Sequence, residues 1–318
     1  MKSTIYLNNI TTIDFSYLGT NGVVYGESLR PGIELTGDVD NDENVVIDFS
    51  KAKKKIKELI DHPDTGFDHK CWIVVENSKD FKFSINGLQY TTEHLESFRN
   101  GIIPNDSLMT VVTPTTTITA PMNAFRVTHN YGLGSLEEYL NSHLKEDGIQ
   151  VKVYHEDDSF MTRKDDDYLN KYYNPMEFTY VHGLKSSSSW GCQNIVHGHY
   201  SCVQVEHNGE SALRDPLIQN SLSNILDNSL DKPLLFVWKE NITEETEDII
   251  SFGYKCSRGM FAMSVYKEFY TVVVLETETT IENLVEWFAT TYNNELKRLG
   301  AVSLSVSEGL DKGATITI

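Results

Sequence analysis

The alternation of apolar and polar positions is clearest around residues 197–206, where Tyr200, Cys202, Val203 and Val205 follow a glycine-punctuated loop and predict a strand. Upstream, Phe178 to Leu184 is a second short β-like run, joined to the first by the polar loop Ser186–Ser189. Helical spacing shows in the first half: Ala52, Ile56, Leu59 and Ile60 share one face, lysines fill the other, and Ser50 is placed to cap the start. Ser135 similarly caps a helix beginning Leu136-Glu137-Glu138-Tyr139-Leu140, and Val151 to Glu156 alternates as a strand should.

Composition narrows the function. Among 318 residues, Lys+Arg 27 against Asp+Glu 46 gives a net charge of -19, which argues against nucleic acid as a partner and for a soluble protein. An anionic substrate would require a local basic cluster. No stretch is long and apolar enough to span a bilayer, and the start has no signal-peptide pattern, so no membrane partner and a cytoplasmic location are the expectations. Cys71, Cys192, Cys202 and Cys256 show no C-x-x-C spacing and are read as thiols.

The candidate chemistry lies on the two β-like runs. Side chains two apart on a strand share a face, so His197 and His199 point the same way across Gly198. If the runs pair as a hairpin, His182 arrives beside them as a third nitrogen ligand. Three imidazoles with an open fourth position describe a catalytic rather than a closed structural zinc site. An isolated His-x-His is equally a pair of surface or core histidines.

The whole constellation, Phe178-x-x-x-His182-x-Leu184 followed by Cys192 and then His197-Gly198-His199 opening a strand, resembles the 6-pyruvoyl-tetrahydropterin synthase / 6-carboxytetrahydropterin synthase family. The resemblance implies an α+β fold of two tandem tunnelling-fold (T-fold) modules. Each would be an antiparallel sheet with two helices on one face, carrying β insertions, and the modules would assemble into a barrel. Phe67-Asp68-His69-Lys70 is similar to the family's Asp-His-Lys motif, and Val45 to Phe49 to its strand ending in Asp-Phe. In the second half, Thr280 to Trp287 matches the family's second helix and Val302 to Glu308 its last strand, which ends in a pterin-anchoring glutamate. Residues 1–165 then form a module without zinc ligands, because Tyr25-Gly26-Glu27-Ser28 stands where His-Gly-His would be, and residues 166–318 form the module that keeps them. The boundary falls in the charged run Arg163–Tyr168. The stretches Trp72–Thr113 and Leu235–Val274 each read as an inserted hairpin or strand pair.

By the same resemblance, Zn2+ is held by His182, His197 and His199. Cys192, His69 and Asp68 form a general acid/base relay across the two halves, and Glu308 or Glu156 binds the amino edge of the substrate. Cys192 also fits a small buried apolar residue, Asp68-His69 a loop turn, and Cys71 or Cys202 is an alternative thiol. Lys70, Lys185 and Arg258 are candidate cations for a triphosphate. The implied activity is a lyase acting on 7,8-dihydroneopterin triphosphate, as a 6-carboxytetrahydropterin synthase of the queuosine (7-deazaguanine) route. The alternatives are 6-pyruvoyl synthase activity and a non-catalytic, zinc-containing binding or structural subunit. A barrel needs several modules, so a homo-oligomer is implied, most simply three two-module chains.

Overall fold

The computed structural model describes residues 2–39, 46–97, 107–129, 133–155, 176–207, 210–211, 226, 230–310 and 312–318. Arg163–Tyr168 and Glu156 lie outside the described residues. The first half runs β1 (Lys2–Leu7), β2 (Ile13–Leu18), β3 (Val24–Leu29), β4 (Pro31–Asp38), α1 (Phe49–Ile60), β5 (Cys71–Val74), β6 (Lys82–Ile85) and β7 (Leu88–Tyr90). It continues with α2 (Thr92–Ser97), β8 (Leu108–Val112), β9 (Thr116–Pro121), β10 (Phe125–Thr128), α3 (Gly134–Leu144) and β11 (Gln150–His155). The second half runs β12 (Met176–His182), β13 (His197–His207), β14 (Glu210–Ser211), β15 (Leu234–Trp238), β16 (Ile242–Glu245), β17 (Ile249–Cys256) and β18 (Gly259–Tyr266). It ends with β19 (Thr271–Leu275), α4 (Ile281–Thr291), α5 (Asn293–Leu299), β20 (Ala301–Ser307) and β21 (Gly313–Thr317). The fold is α+β. Among the described residues no helix is long and apolar enough to cross a membrane.

Helix α1 buries Ala52, Ile56 and Ile60 as its spacing predicts, but the cap is Asp48, whose carboxylate accepts from Lys51 N at 2.9 Å. Ser50 lies inside the first turn, and residues 46–48 form no strand. In α3, Ser135 also lies two residues past the cap position, Leu133; its Oγ accepts from His129 N at 3.2 Å instead. Boundary shifts of this size are common, because a cap is chosen by where the chain can turn and not by residue type alone. Helix α4 buries Ile281, Leu284, Val285, Phe288 and Ala289, a stripe that packs on the sheet under β12 and β13.

Two sheets share one strand order. In the first half it is β10-β5-β2-β3; in the second, β19-β15-β12-β13 leads on to β20 and β21. In both, the middle strand (β5, β15) runs parallel to its two neighbours, and a hairpin (β2–β3, β12–β13) follows antiparallel. Strands β1, β4 and β11 form a separate three-stranded sheet.

The insertions differ from the sequence reading. Trp72–Val74 and Leu235–Trp238 belong to β5 and β15, and Thr271–Val274 to β19, all within the two main sheets. What is inserted joins across the halves, through β18 paired with β9, into one seven-stranded sheet of order β16-β17-β18-β9-β8-β6-β7. An isolated two-stranded hairpin is marginal in water. Joined, the strands bury Phe83, Val111, Ile118, Phe252, Phe261 and Met263 in one core.

The halves also meet where β3 crosses β13. There Gly26 and Gly198 abut: a Cβ on Gly198 would lie 2.6 Å from Gly26 Cα, and one on Gly26 would lie 2.2 Å from Tyr180 O. Ser16 Oγ donates to Val196 O, and Tyr200 N donates to Ser28 Oγ at 3.2 Å. This crossing sets the distance between the histidine strands and the first half.

Candidate functional site

Strands β12 and β13 pair in the register that places His182 opposite His197 and Tyr180 opposite His199. The three histidines are buried, and their ligand atoms lie within 4.8 Å of one another. Two of them are hydrogen-bonded from behind at Nδ1, and the third faces a carboxylate there. His182 Nδ1 meets Thr279 O at 2.7 Å, and His197 Nδ1 meets Asn194 O at 2.7 Å. His199 Nδ1 lies 3.3 Å from Asp14 Oδ1, an ion-pair distance outside hydrogen-bond alignment. A carbonyl or carboxylate behind Nδ1 fixes its proton there and turns the Nε2 lone pair outward. Among the described residues, all three Nε2 atoms are buried without a hydrogen-bond partner.

Burial, then the neighbouring histidines, hold His182 and His197 well below the ordinary imidazole range, which keeps them neutral. Neutral imidazole is the ligand form. Three orphaned nitrogens in one enclosed space fit a small divalent cation better than they fit a water-filled or apolar core.

The first half brings its own pair to this place. His69 follows α1 and precedes β5 with a left-handed backbone, φ 53, unusual for a residue with a side chain. It is fixed by His69 N donating to Asp14 O at 2.6 Å, while Asp14 N donates to Asp68 Oδ1 at 2.9 Å. Asp68 Oδ2 then lies 2.6 Å from His69 Nδ1, and His69 Nε2 lies 3.6 Å from Cys192 Sγ. The His69 ring centroid is 5.1 Å from that of His197 and 6.2 Å from that of His199. Within one chain, Asp68, His69 and Cys192 therefore stand beside the three histidines.

The electrostatics of that pair are mutual. Burial works against a charged His69, but the Asp68 carboxylate and Cys192 outweigh it and push the imidazole up to about 10. Burial likewise raises the Cys192 thiol, and His69, with Ser189, outweighs that and brings it below its ordinary value. Each group thus moves the other toward its charged form, the thiol toward thiolate and the imidazole toward imidazolium. The other cysteines do not compete: burial pushes Cys71 up to about 12, and Cys202, an odd number of positions from His197 and His199, faces the opposite side of β13.

Asp14, Ser28, Asn194, Thr279 and Lys312 are site residues that sequence reasoning missed. Asp14 accepts from Ser28 Oγ at 2.5 Å and pairs with Lys312 Nζ at 2.9 Å, while Lys312 reaches Glu308 Oε2 at 3.7 Å. Burial alone would raise the Asp14 carboxyl, but His199, Lys312 and Ser28 outweigh it and hold it ionised below the usual carboxylate range. One signal was available: a lone aspartate between the apolar Ile13 and Phe15 at the start of β2. If the three histidines hold a divalent ion, Asp14→Asn is expected to leave the fold intact and weaken its binding about 10–100-fold, the usual penalty for losing the partner behind a ligating histidine. Competition against a chromogenic chelator measures it.

Glu308 sits just past β20, and its carboxylate is partly engaged by Lys312. A cavity of about 280 Å³ opens onto His69 and is lined by Asp61, Asp68, Lys70, Trp190 and Arg258 among others. Lys70 and Arg258 are both buried there and both donate to Asn123 O. Lys185 instead lies 5.6 Å from the Trp238 ring centroid.

No family model matches the chain, and no curated protein matches it. Among solved structures it is similar to 6-pyruvoyl tetrahydropterin synthase of Plasmodium falciparum, at 15% identity over 48% of this chain and 91% of that one, with a TM-score of 0.31. The same enzyme from Plasmodium vivax is 17% identical over 45% of this chain and 92% of its own, with a TM-score of 0.30. An uncharacterized protein from Wolinella succinogenes is 16% identical over 45% and 95%, with a TM-score of 0.29. Likeness this remote, over about half of the chain, leaves the chemistry to be argued from the residues themselves.

Proposed function

We propose that the chain is a two-module, zinc-dependent lyase of the 6-carboxytetrahydropterin synthase type, acting on 7,8-dihydroneopterin triphosphate with one site composed from both halves. The observation that carries the reading is the convergence of three partnerless Nε2 atoms beside an Asp68–His69–Cys192 relay. The module reading is supported by the shared strand order and by the Gly26–Gly198 contact. Tyr25 and Glu27 flank Gly26 as His197 and His199 flank Gly198, and Tyr17 faces Tyr25 as His182 faces His197. The first half thus carries two tyrosines and a glutamate where the second carries ligands.

His182, His197 and His199 would hold the metal. When bound, a divalent ion supplies Lewis acidity toward the substrate's side-chain oxygens. Cys192, its thiol eased toward thiolate by the facing His69, takes a proton from the side chain. His69, charged and oriented by Asp68, restores one, so the pair exchanges protons across the 3.6 Å contact. Glu308 accepts the two adjacent N–H donors of the pterin edge. Because Asp68 and His69 reach the histidines within one chain, no partner residue is needed for the relay, whether or not three chains associate.

Incubation of the purified protein with 7,8-dihydroneopterin triphosphate, followed by mass analysis, tests the reading. Acetaldehyde and 6-carboxytetrahydropterin are expected from the wild type and not from Cys192→Ala. Retention of the three-carbon side chain would assign the 6-pyruvoyl reaction instead. Pterin binding without turnover would make the protein a binding subunit.

A further inference from the structure

The sequence offers no role for the inserted strands, but the hydrogen bonds of the β17–β18 hairpin do. Cys192 sits on the irregular segment 183–196 between β12 and β13, and a segment of that length does not by itself hold a sulfur at a set distance from a ring. The hairpin grips it on both sides of the cysteine. Tyr254 Oη donates to Gln193 O at 3.0 Å, and Ser257 Oγ donates to Gln193 Oε1 at 2.8 Å. Arg258 Nη1 donates to Trp190 O at 3.3 Å, with the guanidinium 5.4 Å from the Trp190 ring centroid. Gln193 Nε2 passes the restraint on to Ser187 O at 2.7 Å.

The same hairpin is tied to the half that carries His69. Arg258 Nη2 donates to Asn123 O at 2.9 Å, the carbonyl that also receives Lys70 Nζ, next to His69 in sequence. Asn194 Nδ2 donates to Ala124 O at 3.0 Å and to His69 O at 3.1 Å. Asn123 and Ala124 follow β9, the strand that pairs with β18. The joined sheet therefore connects both members of the thiol–imidazole pair to one turn. Two details show how closely it fits: a Cβ on Gly191 would lie 2.6 Å from His69 Cγ, and one on Gly183 would lie 2.1 Å from Tyr254 Oη. Arg258 is 94 % buried and, among the described residues, bonds to backbone carbonyls only, so it is placed for reach and not for ion pairing.

We infer that the β17–β18 hairpin is a positioning arm: Tyr254, Ser257 and Arg258 hold the Cys192 segment against His69, and the β18–β9 pairing sets the register of the two half-sites. The inference rests on the reading of Cys192 and His69 as the working pair. Its test reads thiol chemistry in place of turnover, so the two readings fail separately.

The purified protein is alkylated with iodoacetamide across pH, and modification of the Cys192 peptide is followed by mass spectrometry with Cys202 as internal reference. The wild-type midpoint is expected below that of a free thiol, about 8.5. The near-isosteric double variant Tyr254→Phe/Ser257→Ala should move it up toward that value and slow alkylation at neutral pH about 3–10-fold, leaving metal content and circular dichroism unchanged. Restoring the hydroxyl with Ser257→Thr should recover part of the shift. An unchanged midpoint in the double variant overturns the arm; an ordinary midpoint in the wild type overturns the pair it serves. Should the double variant fold poorly, Ser257→Ala alone, at an exposed position, decides in the same way.

Discussion

If the proposed function holds, His197→Ala is expected to yield a protein that no longer retains zinc and forms lyase product more than about 100-fold more slowly, since losing even the partner behind a ligand costs 10–100-fold in affinity. The site has little to substitute for it. His197 stands opposite His182 in the hairpin register, and its Nδ1 is committed to Asn194 O, so only Nε2 is free to bind. A metal-free wild type should also be less stable than the loaded protein. Each buried nitrogen without a partner carries a desolvation penalty of about 1–3 kcal/mol, and a bound ion relieves all three. Metal analysis after gel filtration, with melting curves before and after a chelator, reads both effects. Stoichiometric zinc in the variant, or a melting point indifferent to the chelator, would make the histidines packing residues and sink the proposal.

The other large effect is at the crossing of the halves. Gly26→Ala should destabilise by at least the upper end of the about 1–3 kcal/mol typical of overpacking. The new methyl would meet Tyr180 O at 2.2 Å and the N and O of His199 at 2.6 Å, and backbone in a paired strand cannot rotate aside as a side chain can. A melting point lowered by on the order of 5–10 °C follows. The strand that would have to move carries His199, so under the proposed function metal affinity should fall with stability. Gly87→Ala is the control. Nothing lies within 4 Å of that Cβ, and its φ of 82 confines the loss to left-handed backbone strain of roughly 1–2 kcal/mol. Equal effects at the two positions would show that the crossing is not tightly packed.

The part of this protein legible in the sequence was local. Period two put His197 and His199 on one face, and the short polar connection suggested the hairpin that delivers His182. The apolar spacing of α1 was visible for the same reason. The caps were misplaced by two residues; at α1, Asp48 and Ser50 are both good cap residues and the chain's exit from the preceding segment chooses between them. The inserted strands were found, but their limits were not. A buried central strand such as Cys71–Val74 and the start of an insertion look alike when each is a short apolar run.

What the sequence determined by itself is the inventory and its local geometry: three imidazoles on a strand pair, a thiol ahead of them, and an Asp-His step after a helix. Only the tertiary structure decided that these meet within one chain. It also showed that Asp14, on β2, backs His199 and frames Asp68, and that two insertions join into one sheet whose β17–β18 hairpin bonds to the segment carrying the thiol. The physical reason is range. Periodicity reports which neighbours along an element share a face, whereas the Gly26–Gly198 crossing and the β18–β9 pairing are contacts between residues more than 140 positions apart, and no local pattern encodes them.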